Sequence, residues 1–183
     1  MKYEVENKFP VADLGVIERL CESLGARFGD AVEQVDHYFA HPQRDFATTD
    51  EALRLRRIGD QNFVTYKGPK LDKATKTRQE LELPLADGTE RVAQYVQLLT
   101  ALGFRSVAEV RKRRRYGQFE WRQFQIEATL DEVDGLGSFA ELEIQVDASM
   151  LTQAQTELVA LATHLGLPAV ERRSYLEMLL EHS

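Results

Sequence analysis

Glu4, Glu6 and Lys8 stand two residues apart in a short stretch whose alternate positions, Tyr3, Val5 and Phe9, are apolar. Side chains alternate across a β-strand, so a strand here turns two carboxylates and an ammonium to one face and apolar groups to the other. Closely set carboxylates are hard oxygen donors of the kind that hold Mg2+ or Mn2+, ions that take a few protein oxygens and keep their remaining positions for water and phosphate. An unpaired charge removed from water costs several kcal/mol or more, so such a face must meet water, metal or a charged ligand instead of an ordinary apolar core.

The same pattern recurs. Glu141 and Glu143 interleave with Ala140, Leu142 and Ile144, and Asp131 precedes them. Arg54 and Arg56 alternate with Leu53 and Leu55; Lys67 shares a face with Phe63 and Thr65, opposite Val64 and Tyr66; Arg78, Glu80 and Glu82 interleave with Gln79, Leu81 and Leu83. A strand facing only solvent has no reason to sort acids and bases into short clusters of like sign. Lys112 and Arg114 lie in the run Arg111 to Arg115, which reads either as a strand turning that pair inward or as a solvated basic patch; a one-residue shift of register exchanges the faces. Many cations facing one region imply an anion of several charges, since the arginine fork matches phosphate oxygens and lysine acts as a point charge. The rival is a self-satisfied network of ion pairs, which is a poor substitute for apolar packing.

Other chemistries find no support. His37, His41, His164 and His182 lack metal-ligand spacing, so zinc is not indicated. There is no GxxxxGK[ST] loop, Gly135-Leu136-Gly137 does not lead into a helix, and no GxSxG elbow is present. Phosphoryl or nucleotidyl transfer by positioning and electrostatics, without a covalent enzyme intermediate, is the chemistry expected. The net charge of −7 argues against general nucleic-acid binding. No apolar run approaches the ~20 residues that span a bilayer, so no membrane association is expected. With no secretory signal pattern and a single cysteine, Cys21, the expected compartment is the cytoplasm.

Apolar residues at spacings of three and four predict helices from Leu14 to Leu24, Val92 to Leu102 and Thr152 to Leu165, each ended by a Leu-Gly pair, with a short fourth from Tyr175 to Leu180. Strands are expected at Tyr3–Phe9, Val32–Ala40, Ala52–Ile58, Phe63–Lys67, Arg78–Leu83, Val107–Tyr116, Glu120–Leu130 and Ser138–Val146. Gly59-Asp60 reads as a hairpin turn, Gly68-Pro69 as a strand end, and Pro69 to Thr77 as a loop. Short links favour antiparallel pairing. The expected fold is α+β, an eight-stranded antiparallel β-barrel with helices packed outside and charges inside, in a single domain spanning 1–183.

In order along the chain stand EVENK at 4–8, DHYF at 36–39, LRLR at 53–56, YKGP at 66–69, RQELE at 78–82, Lys112 with Arg114, LDEVDGLGSFAELE at 130–143 and RSYLEML at 173–179. This series resembles the CYTH superfamily, the triphosphate tunnel enzymes, and within it most nearly the class IV adenylyl cyclases. The resemblance implies a tunnel that binds triphosphate and divalent metal, Mg2+ or Mn2+, and suggests a homodimer. It places Glu4, Glu6, Asp131, Glu141 and Glu143 around metal. It places Lys8, Arg54, Arg56, Lys67, Arg78, Lys112 and Arg114 on the phosphates, with Asp131, Lys112 and Arg114 nearest the chemistry. The activity it implies is conversion of ATP to 3′,5′-cyclic AMP and pyrophosphate. The alternatives are a metal-dependent triphosphatase acting on tripolyphosphate, thiamine triphosphate or a nucleotide, and a non-catalytic polyphosphate-binding module.

Overall fold

The alternation that puts charges on one strand face leaves an apolar face on the other, and in β1, β4, β8 and β9 helices cover it. The computed structural model describes residues 2–70 and 78–182. In chain order the elements are β1 (Lys2–Pro10), α1 (Leu14–Ser23), β2 (Arg27–Phe28), β3 (Val32–Ala40), α2 (Phe46–Thr49), β4 (Ala52–Ile58), β5 (Gln61–Lys70), β6 (Arg78–Leu85), α3 (Thr89–Ala101), β7 (Arg105–Trp121), β8 (Phe124–Val133), β9 (Gly137–Asp147), α4 (Leu151–His164) and α5 (Tyr175–Glu181). The chain divides into two units, Met1–Ala31 with Arg113–Arg173 and Val32–Lys112 with Ser174–Ser183.

In the first unit the strand order is β1-β9-β8-β7, with β2 also on β7. β1 and β8 both pair antiparallel with β9. Phe9, Ile126, Ala128, Leu130, Ala140, Leu142 and Ile144 form one face and pack with Ile17 and Cys21 of α1 and Leu158 and Leu161 of α4. Asp13 caps α1 by accepting from the Gly15 amide at 2.8 Å. The helix stops at Gly25, whose φ of 98° lies in the left-handed region that a Cβ disfavours.

In the second unit the order is β7-β3-β4-β5-β6, and the β3–β4, β4–β5 and β5–β6 pairs are antiparallel. Phe39, Phe46, Leu53 and Leu55 are buried beneath Tyr95, Val96 and Leu99 of α3. α5 opens with a full capping box, in which Ser174 and Glu177 satisfy each other's amides.

The α+β class, the four amphipathic helices and the eight long strands follow the sequence pattern, with local departures. β7 runs unbroken through Gly117 and turns at Arg122, so Glu120 belongs to β7 and β8 begins at Phe124. Gly117 is a seat for a neighbour rather than a break: a Cβ there would lie 2.7 Å from the Phe28 ring. Gly68-Pro69 does not end β5, which continues through Lys70 with a shift of register. A proline deprived of its N–H is tolerated at such an irregularity. Of the expected loop at Pro69 to Thr77, residues 71–77 lie outside the described residues. The two-residue β2 and the four-residue α2 are too short to carry a period. Among the described residues no helix is long and apolar enough to cross a membrane.

Two tests follow from this packing. Leu158 is fully buried in the first core, so Leu158→Ala removes its contacts and leaves a cavity; urea unfolding is expected to show a loss of about 2–5 kcal/mol. The Cys21 thiol is pushed up to about 11 by burial, with the charge of Glu22 adding to it. At neutral pH it should react with a disulfide reagent only as fast as the native chain opens, and rapid labelling of the folded protein would contradict the packing.

Candidate functional site

The candidate side chains of β1, β4 and β9 stand on the strand face opposite the one that packs on α1, α3 and α4. In the first unit the register sets Glu6 directly opposite Glu143 and Lys8 opposite Glu141, with Glu4 one pleat repeat along. Carboxylate oxygens of Glu4, Glu6 and Glu143 lie within 4.8 Å of one another. Like charges set opposite each other repel. Burial raises the Glu143 pKa; a hydrogen bond from Gln145 opposes this, and the charges of Glu127, Glu6 and Glu141 add to it. Three carboxylates so placed are hard donors of the kind that could hold Mg2+ or Mn2+.

Asp131 and Glu141 both accept from Arg114. Its Nε donates to Asp131 Oδ1 at 2.6 Å, and its Nη2 donates both to Asp131 Oδ2 and to Glu141 Oε2. Asp131 is fully buried, and Thr129 Oγ1 donates to Glu141 at 3.3 Å. Sequence spacing puts all five acids on one footing. Hydrogen bonding distinguishes them: Asp131 and Glu141 accept from Arg114, while Glu143, one pleat repeat from Glu141 on β9, groups with Glu4 and Glu6.

Lys8 is buried, its ammonium donating to the backbone carbonyl of Arg173 and lying 5.8 Å from the Phe139 ring centroid. The Glu171 amide donates to the Lys8 carbonyl at 2.7 Å, so the main chain near the end of the first unit is tied to β1.

In the second unit Arg56 pairs across strands with Asp36, and Arg54 with Tyr38. The Arg56 fork is bidentate on Asp36, Nε to Oδ1 at 2.6 Å and Nη2 to Oδ2 at 2.7 Å. Arg54 reaches the same carboxylate and the Tyr38 hydroxyl only at 3.5 Å. Burial by itself would raise the Asp36 carboxyl. The hydrogen bonds from Arg56 and the charges of Arg54, Arg56 and Lys112 outweigh that and hold it well below the usual carboxylate range.

The face taken by the basic run is also clear. Val110 and Lys112 are buried while Arg111 and Arg113 are exposed, so Lys112 and Arg114 share the covered side of β7. The Lys112 ammonium sits 5.1 Å from the centroid of Tyr175, at the start of α5. Lys67 pairs with Glu80 at 3.0 Å, and Thr65 donates to Glu82 at 3.0 Å. Arg78 opens β6; its side chain lies outside those described.

Asp36 is the residue that sequence reasoning passed over as a member of the site. It stands in DHYF, where neighbouring polar residues hide its face. The available signal was register: in a β3–β4 pair Asp36 falls opposite Arg56, and a buried cation on one strand requires an anion on the next.

Comparison with known proteins gives a consistent result. The chain is 38% identical over 178 residues, 96% of its own length and 97% of the other's, to a Methanocaldococcus jannaschii protein named, as a provisional assignment, adenylate cyclase. It is 30% identical over 185 residues, covering 95% of this chain and 87% of the relative, to the adenylate cyclase CyaB of Aeromonas hydrophila. A solved structure of a Pyrococcus horikoshii OT3 protein superposes with a TM-score of 0.81 at 39% identity, covering 99% of this chain and all of the other. At 17% identity, with a TM-score of 0.67 over 100% of this chain and 97% of the other, the fold is shared by a Hippeastrum protein, provisionally an adenylyl cyclase, described as having a dominant triphosphatase activity. The CYTH domain model matches residues 2–175, nearly the whole sequence, and with the relatives at 38% and 30% identity it places this chain in the CYTH family.

Proposed function

We propose that this chain is a divalent-metal-dependent enzyme acting on a triphosphate, and that its reaction is conversion of ATP to 3′,5′-cyclic AMP and pyrophosphate. The observation that carries the reading is the convergence of Glu4, Glu6 and Glu143. Anion capture by itself gains nothing from three mutually repelling carboxylates, whereas a metal-dependent enzyme requires them. The adenylate cyclase names of the relatives support the choice of reaction.

In this reading Glu4, Glu6 and Glu143 hold Mg2+ or Mn2+, which supplies Lewis-acid polarisation of a phosphoryl oxygen and lowers the pKa of an adjacent hydroxyl. Lys8, Arg54, Arg56, Lys67, Arg78, Lys112 and Arg114 are the phosphate-binding cations. They carry the charge that builds on pyrophosphate as it leaves. The ribose 3′-oxygen forms a bond to the α-phosphorus, the α–β bridging oxygen departs with pyrophosphate, and the hydroxyl proton is released. Both Asp131 oxygens accept from Arg114, so Asp131 is assigned to orienting that guanidinium. Glu141, on the same Arg114, completes the clamp.

The second reading is hydrolysis, in which water attacks the terminal phosphorus of tripolyphosphate, thiamine triphosphate or a nucleotide. The triphosphatase activity described for the Hippeastrum protein of this fold keeps it open, because the fold serves both outcomes and ångström-level placement of the nucleophile selects between them.

Two experiments decide. Incubation with ATP and with tripolyphosphate, each with Mg2+ or Mn2+, is expected to give cyclic AMP and pyrophosphate from ATP. Orthophosphate as the main product would select hydrolysis, and bound, unchanged ligand would mark a binding module. Glu143→Gln removes a like charge from the trio. Its thermal midpoint in chelator is expected to rise by about 1–3 °C as repulsion is relieved. Turnover should fall by about 100-fold or more, and the stabilisation that Mn2+ gives the wild type should vanish. Full activity in this variant would refute the metal assignment.

A further inference from the structure

Asp36 is the anion around which the second unit's cations are arranged. Its side chain is 4% exposed, and both oxygens accept from the Arg56 fork, at 2.6 and 2.7 Å. Arg54 stands further off, with its Nη1 at 3.5 Å and, among the described residues, no hydrogen-bond partner for its buried Nε. Lys112 adds a third positive charge acting on the same carboxylate. A guanidinium fork that grips a carboxylate is the same fork that grips a phosphate, because the two anions present matching pairs of oxygens.

We infer that Asp36 is a built-in counter-anion: it occupies the Arg56 fork while no phosphate is bound and competes with the triphosphate for Arg54 and Arg56, thereby setting the affinity of the site. This rests on the triphosphate reading above. Without such an anion, clustered cations would repel one another in the ligand-free chain, and the site would hold its product too tightly to turn over. Asp36 relieves the repulsion and weakens capture by the same charge. The two effects therefore have opposite signs when it is removed. A residue that merely preserved the shape of β3 and β4 would, on removal, lower stability and affinity together.

The test is Asp36→Asn, read by thermal unfolding and by calorimetric titration with tripolyphosphate in metal-free buffer at fixed ionic strength. The variant's midpoint without ligand is expected to drop by about 5 °C or more, from loss of a buried pair's charge. Its Kd for tripolyphosphate should tighten by about tenfold or more, so added tripolyphosphate raises its midpoint further than it raises the wild type's. Asp36→Glu keeps the charge and should stay within about threefold of the wild-type Kd. Equal or weaker binding by Asp36→Asn, or tightening of about tenfold in Asp36→Glu, overturns the inference while leaving the triphosphate reading intact. A wild type that does not bind tripolyphosphate defeats both. If Asp36→Asn does not fold alone, recovery of the folded state in millimolar tripolyphosphate supports the inference, and failure to recover overturns it.

Discussion

Charge taken out of bulk water has to be answered by charge, and that constraint organises both units. Asp131 and Asp36 are the most thoroughly buried carboxylates of the candidate set, and each is gripped by an arginine from a neighbouring strand. The helices answer the opposite faces of the same strands, where Ile126, Leu142 and Ile144 in one unit and Leu53 and Leu55 in the other are sealed from solvent. One pleat thus serves two incompatible environments. Polar groups on the charged side keep their orientation because the apolar side fixes the backbone beneath them.

The arrangement is uneven in a way that suits phosphate chemistry. Arg56 and Arg114 are held firmly by carboxylates, while Arg54 makes only long contacts. A held guanidinium is already ordered, but an incoming anion has to compete with the carboxylate that holds it. The looser one can adjust to the anion that comes. Glu4, Glu6 and Glu143, by contrast, bring carboxylate oxygens within 4.8 Å of one another, like charges whose repulsion a bound cation would relieve.

The strands that alternate cleanly were legible from the chain itself. EVENK and AELEI in β1 and β9 leave no doubt about which face is charged, and those strands pair as their patterns require. The run at Arg111 to Arg115 was not legible, because five consecutive bases carry no alternation. Burial of Val110 and Lys112 fixes its register through neighbours that are distant in sequence. The gap expected between Tyr116 and Glu120 is absent, because Gly117 lies inside β7 and leaves room for the Phe28 ring, which only the packed structure reveals. The pairing of Asp36 with Arg56 and the hold of Arg114 on Asp131 depended on which residues meet across strands. That information lies in pairs of positions and not in any single segment.

The pairing of β1 with β9 has a consequence for how the chain is made. Lys2 and Asp147 are partners, so β1 is synthesised more than a hundred residues before the strand it pairs with. During that interval β1 has an open edge, the geometry that invites association with other nascent chains. The alternate charges of Glu4, Glu6 and Lys8 make it a poor template for such pairing, so the same residues that form the candidate site are of the type that guards an open edge.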